Sequence, residues 1–299
     1  MKKYLPHIAL FAVNLIYALN YTIAKDVMPL YVKPYGFILL RVTGALILFG
    51  LFFKSAFRQK IDKQDYWRIV LCGFFGVAFN QLTFFKGLSI TTPINSAIIM
   101  TSTPILVLIV ASILIKERIS LKKILGIIIG LSGAFYLIIS KTDGNVQFSS
   151  STAFGDLLVF VNALSYGIYL VLVKPLMNKY NAYHLTTWVF AIGWLFVFPA
   201  GISEAIMIDW KALPLKIVLE ILFVVICTTF LTYLLSMYAL KKVSPVAVSS
   251  FIYLQPFLAA LIAVILGSDT LSASKIIAGM MIFTGVYLVS NFSPKNVTS

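Results

Sequence analysis

The chain has 299 residues, of which 60% are hydrophobic and 11% charged, with a mean hydropathy of +0.97. Soluble domains carry about a quarter charged residues, so this composition excludes a soluble globular fold and points to an all-α polytopic membrane protein. The net charge of +14 is scattered over inter-helix segments without a basic motif, which speaks against a nucleic-acid partner.

Ten apolar runs are long enough to span a bilayer, at about 20 residues each: roughly 7–24, 35–53, 67–85, 94–115, 121–139, 154–173, 184–202, 216–238, 246–267 and 274–292. Placing the N-terminus in the cytoplasm puts 16 of the 24 basic residues on the inner side, seven outside and Arg41 within a span. This positive-inside bias sets both termini in the cytoplasm of a multi-pass cell-membrane protein. The first run, MKKYLPHIALFAVNLIYALNYTIAK, has the basic end of a signal peptide. Asn14, Tyr17, Asn20 and Tyr21 interrupt it and no small-x-small cleavage site follows, so it reads as a retained first helix.

In chain order, helix 1 places Asn14, Tyr17 and Tyr21 on one face. Helix 2 carries Arg41, expected to snorkel to the outer interface. Helix 3 offers Asn80, Gln81 and Thr83. Helix 4 lies in TTPINSAIIMTSTPILVLIVASILIKERIS, where Ser102 is a candidate ligand and Pro104 a mid-span kink. Helix 5 has Gly126, Gly130 and Gly133 on a small-residue face, suited to packing within the chain more than to dimerisation. Monomer and homodimer both stay open. A polar connector, KTDGNVQFSSSTA at 141–153, follows.

Helix 6 groups Asn162, Ser165, Tyr166 and Tyr169. Helix 8 offers Thr228, Thr229, Thr232, Tyr233 and Ser236. Its Glu220 is expected near the outer interface, with an outer gate or a pair with Arg41 as the second reading. Helix 9 offers Ser249, Ser250, Tyr253 and Gln255, with Pro256 as its kink. Such polar groups turn away from lipid, either to bond neighbouring helices or to line a wet cavity. The candidate substrate-binding set is Asn14, Tyr17, Tyr21, Asn80, Gln81, Ser102, Asn162, Tyr166, Tyr169, Thr232 and Tyr253. Tyrosine and asparagine suit a neutral, zwitterionic or amphipathic molecule, and tyrosine faces also attract a cationic group. Cys72 and Cys227 lie within spans with no metal-site spacing, and no cofactor or metal is expected.

The two halves of the chain are similar to each other. At an offset of 152, Pro93 meets Pro245, Pro104 meets Pro256, Ser120 meets Ser272, Lys123 meets Lys275, Gly133 meets Gly285 and Glu117 meets Asp269. At an offset of 149, Tyr17 meets Tyr166, Lys25 meets Lys174, Tyr31 meets Tyr180 and Gly44 meets Gly193. Five helices per half is an odd number, so residues 1–145 and 150–299 form inverted repeats, an arrangement used by secondary transporters with a site at the midplane.

The aromatic-small pairs Tyr17-Ala18 and Tyr166-Gly167, the segment FILLRVTGALIL and the paired stretches FFKGLSITTPINSAIIMTSTPILVLIVASILIKERISLKKILGIIIGLSGAFYLI and MYALKKVSPVAVSSFIYLQPFLAALIAVILGSDTLSASKIIAGMMIFTGVYLV resemble the drug/metabolite transporter superfamily, in particular its EamA-type ten-helix branch. The resemblance covers about residues 5–292. Tyr17 and Tyr166 stand where the family often has Trp, and Asp269 where it usually has Glu. The resemblance implies a central cavity lined by helices 1, 3, 4, 6, 8 and 9 and a small organic solute as cargo, moved by alternating access and expected to be exported. An enzyme or a receptor without transport is the alternative. An enzyme needs a site constellation, and H-x-x-x-H, H-E-x-x-H, G-x-S-x-G and phosphate-binding loops are all missing. His7 and His184 fall at helix edges and no carboxylate lies deep in a span, so uniport or exchange stands beside proton antiport.

Overall fold

The computed structural model describes residues 4–54, 56–117, 119–141, 152–265 and 273–291. Asp269 and most of the connector between the halves lie outside them. Nine helices among the described residues are long and apolar enough to cross a membrane, with a shorter apolar tenth. They are α1 (Leu5–Val27), α2 (Pro34–Phe52), α3 (Lys63–Ile90), α4 (Pro93–Leu114), α5 (Leu121–Ile139), α6 (Ala153–Lys179), α7 (Ala182–Ala205), α8 (Leu215–Lys242), α9 (Pro245–Ile262) and α10 (Lys275–Ser290). Proline opens α2, α4 and α9, where its missing N–H is not needed. Thr92 and Ser244 cap α4 and α9 at the same register, accepting from Asn95 N at 3.0 Å and Ala247 N at 3.2 Å.

The packing obeys a pseudo-two-fold relation. α2 packs on α7 and α5 on α10, each pairing equivalent elements of the two halves. The contact of α1 with α8 is matched by that of α6 with α3, and α2 with α8 by α7 with α3. The close crossings need glycine. A Cβ on Gly285 would sit 2.6 Å from the Gly126 carbonyl oxygen and from Gly130 backbone, so the small-residue face of α5 is consumed by α10.

Two breaks recur in each half. α3 widens to a π-helical turn at Phe74–Ala78 and α8 at Val224–Leu231. α4 is interrupted after Met100 and resumes at Thr103, while α9 passes through a tight 3-10 turn at Phe251–Tyr253. Pro104 leaves the Met100 carbonyl without its helical donor, and Thr103 Oγ1 supplies one at 2.7 Å. Thr101 and Ser102 bond the Ile98 and Ile99 carbonyls at 2.5 and 2.7 Å. The hydroxyls of this apolar stretch therefore serve its own backbone.

Two equivalent lysines close the pattern. Lys25 Nζ donates to the Leu88, Ser89 and Thr91 carbonyls at 2.8, 3.3 and 3.1 Å, at the C-terminus of α3. Lys174 Nζ donates to the Leu240 and Val243 carbonyls at 2.5 and 2.9 Å, at the C-terminus of α8. Each cation satisfies orphan carbonyls at the negative end of a helix dipole. These lysines mark the two ends of the bundle.

Candidate functional site

A cavity of about 90 Å³ lies between the halves, space for several waters, given about 10–15 Å³ for one. Residues from α1, α2, α3, α4, α6, α8 and α9 line it. α1 contributes Asn14, Tyr17, Asn20 and Tyr21, and α3 contributes Asn80, Gln81, Phe84 and Phe85. Met100 comes from α4, Asn162 and Tyr166 from α6, Thr228, Tyr233 and Ser236 from α8, and Val248, Ile252 and Gln255 from α9.

The π turns aim polar groups inward because they misalign the backbone bonds of α3 and α8. In α3, the Gly76 carbonyl accepts from Tyr233 Oη at 2.6 Å and the Phe75 carbonyl from Ser165 Oγ at 2.7 Å. Just beyond the turn, Asn162 Nδ2 donates to the Asn80 carbonyl at 2.7 Å. In α8, Thr229 Oγ1 donates to the Val224 carbonyl at 2.7 Å and accepts from Arg41 Nε at 2.9 Å. α1 and α9 are clasped through Gln255, whose Nε2 donates to Asn14 Oδ1 at 2.8 Å and whose Oε1 accepts from Tyr21 Oη at 3.2 Å.

Several polar atoms in the lining have no protein partner. Asn20 Oδ1, Gln81 Oε1, Asn162 Oδ1, Thr228 Oγ1 and Ser236 Oγ are buried and unbonded. Buried polar atoms in proteins are nearly always paired, so this concentration in one cavity marks a place for waters or a solute with hydrogen-bonding groups.

The cavity gathers Asn14, Tyr17, Tyr21, Asn80, Gln81, Asn162 and Tyr166 from the candidate set. Ser102, Tyr169, Thr232 and Tyr253 are not in its lining. Ser102 and Thr232 bond backbone carbonyls of their own helices. Tyr169 and Tyr253 are fully buried and cover Gly76 and Gly130, where an added Cβ would meet their rings at 2.3 and 2.6 Å. Pro104 and Pro256 shape the breaks and do not line the cavity. Glu220 stays near the start of α8 and pairs with Lys216 at 3.4 Å.

Arg41 corrects the snorkelling expectation. Its residue is 4% exposed, it lines the cavity, and its guanidinium lies 4.4 Å from the centre of the Phe85 ring. It makes no pair with Glu220 or any other carboxylate among the described residues. Distance along the helix from the interface suggested a side chain reaching outward; rotation of α2 against α8 turns it inward. Asn20, Thr228, Tyr233, Ser236 and Gln255 complete the polar lining. The signal for the last four was the cluster of hydroxyls and amides on helices 8 and 9.

The two ends differ. Ser249, Ser250, Phe251 and Ile252 in α9 are buried, while their equivalents Ala97, Ile98, Ile99 and Met100 in α4 are part-exposed. The start of α9 packs on the second half of α4, and the start of α4 has no comparable packing against the second half of α9 among the described residues. Among the described residues the Lys174 end is therefore the more closely packed of the two, and the Lys25 end the looser.

The EamA-like transporter family matches the chain over residues 5–139 and 153–291. Similar proteins include the uncharacterized transporter YyaM of Bacillus subtilis, 25% identical over 85% of each chain. An uncharacterized transporter of Archaeoglobus fulgidus is 26% identical over 89% of each. A WAT1-related protein of Arabidopsis thaliana is 27% identical over 91% of this chain and 75% of its own. One crystal structure shares the fold with a TM-score of 0.73 over 95% of this chain and 94% of the other, at 18% identity. With the ten-helix fold and the family match in agreement, this is a multi-pass membrane transporter, not an enzyme, and the chain belongs to the EamA-like transporter family.

Proposed function

We propose that this transporter moves a small organic metabolite, amino-acid-like or amphipathic, across the cytoplasmic membrane by alternating access, and that it works as an exporter. The observation that carries the reading is a cavity between the halves with orphan polar atoms, more closely packed at one end than at the other. Inverted halves admit a second state in which they exchange conformations and the looser packing moves to the Lys174 end. The repeated breaks in α3, α4, α8 and α9 are where such an exchange bends the helices. With both termini cytoplasmic, the looser end faces outward. Among the described residues the lining holds no carboxylate or histidine to carry a proton. Solute then runs down its own gradient, which is outward for a compound made in the cell.

The test is counterflow in proteoliposomes loaded with unlabelled amino acids or small amphipathic amines. Saturable uptake of one labelled solute, reduced at least about tenfold by Tyr166→Ala with unchanged reconstitution, is the expected result. Uptake that requires an imposed pH gradient overturns the uncoupled mechanism. Faster movement into cells than out of them overturns export.

A further inference from the structure

We propose that Arg41 recognises a carboxylate, so that the cargo is an organic monoanion or a zwitterion whose carboxylate takes the two terminal nitrogens of the guanidinium. The inference rests on the cavity being the solute site. Three observations carry it. Among the described residues, Arg41 is the single ionised group in the lining, with no Asp, Glu, Lys or His beside it. A buried cation at membrane depth is costly unless it is paired, and no protein carboxylate pairs with it among the described residues. Its Nε is anchored on Thr229 at 2.9 Å and its face rests on Phe85 at 4.4 Å. That leaves the terminal nitrogens with no protein acceptor among the described residues.

An anchored Nε and a stacked face fix the plane of the guanidinium. A planar fork fixed in this way matches the two oxygens of a carboxylate. One cation matches one negative charge, and a phosphate dianion would leave a charge uncompensated. The equivalent position in the second half is Phe190, which packs edge-on against Tyr233 at 4.7 Å. The cation is therefore present in one repeat only.

Four molecules of nearly equal shape separate the contributions: leucine (zwitterion), 4-methylpentanoate (anion), leucinamide (cation) and 4-methylpentanamide (neutral). Binding to purified full-length protein in detergent, read by thermal shift, avoids the leakage of neutral amides across bilayers. The carboxylates are expected to bind about 10- to 100-fold more tightly than their amides, the range set by hydrogen bonds to a charged group. Arg41→Lys retains part of the preference and Arg41→Gln abolishes it. The wild-type comparison of acid with amide needs no variant, so it holds even where Arg41→Gln fails to fold. Equal binding of acids and amides, or no carboxylate binding to the wild type, overturns the proposal. So does an acid preference undiminished in a folded Arg41→Gln protein. Carboxylate binding without counterflow of the bound solute upholds the Arg41 subsite and overturns the transport reading instead.

Discussion

The first turns of α4 and α9 begin alike, with a hydroxyl cap and a proline, and end differently. Residues 97–100 of α4 are part-exposed, whereas residues 249–252 of α9 are buried. Equivalent sequence positions therefore occupy two environments in one molecule. On the proposed alternating-access reading that difference defines a conformational state, the opposite state following from an exchange of environments between the two halves. The asymmetry lies in packing between halves, since the caps, the prolines and the lysine-capped helix ends are present in both.

The most direct way to break this comparison is to label the two positions. In a background carrying Cys227→Ser, with Cys72 buried, Met100→Cys is expected to react with a small thiol reagent roughly 100-fold faster than Ile252→Cys. That ratio corresponds to a local opening cost of about 3 kcal/mol at the buried position. Stopped labelling followed by mass measurement reads it. Similar rates would mean that both ends open with equal ease, and the assignment of a more closely packed Lys174 end would fall.

A second test asks whether the symmetric parts are equally important. Lys25→Met and Lys174→Met each strand carbonyls at a helix C-terminus. Each is expected to lower stability by about 2 kcal/mol, within the range for hydrogen bonds to charged groups. Thermal unfolding in one detergent measures both, and arginine at either position restores part of the loss. A loss confined to Lys174→Met would make that lysine a latch of the more closely packed end and not a device common to both halves.

Much of this fold was legible from hydropathy and from the register of prolines and glycines. The helices run further than the apolar spans suggested, as in α3, which starts at Lys63. Polar ends continue a helix when they find partners, as Asp65 does with Lys179 at 2.9 Å and Tyr180 at 2.7 Å. The π turns left no clear trace, because they depend on bonds to residues on other helices. Helical spacing put Tyr166 and Tyr169 on one face but could not say where the cavity ends: Tyr166 lines it, and three residues on Tyr169 closes over Gly76. Arg41 lies inside because its direction is set by the rotation of α2, which distance along the helix from the interface does not give.

The smallest effect concerns a bond that only one half possesses. Gln255 joins Asn14 across α1 and α9, whereas the equivalent pair, Thr103 and Ala163, has no amide to offer and Thr103 bonds its own helix. A double-mutant cycle with Asn14→Ala and Gln255→Ala is expected to give a coupling energy of about 0.6–1 kcal/mol in thermal unfolding, typical of polar contacts between membrane helices. The clasp belongs to the packing that distinguishes α9 from α4. Its loss should therefore also raise the labelling rate of Ile252→Cys relative to Met100→Cys by about three- to fivefold, the factor that this energy supplies at room temperature. A normal coupling energy with an unchanged labelling ratio would make the clasp a general tie between helices. A change in both would make it part of the difference between the two halves that packs one end more closely.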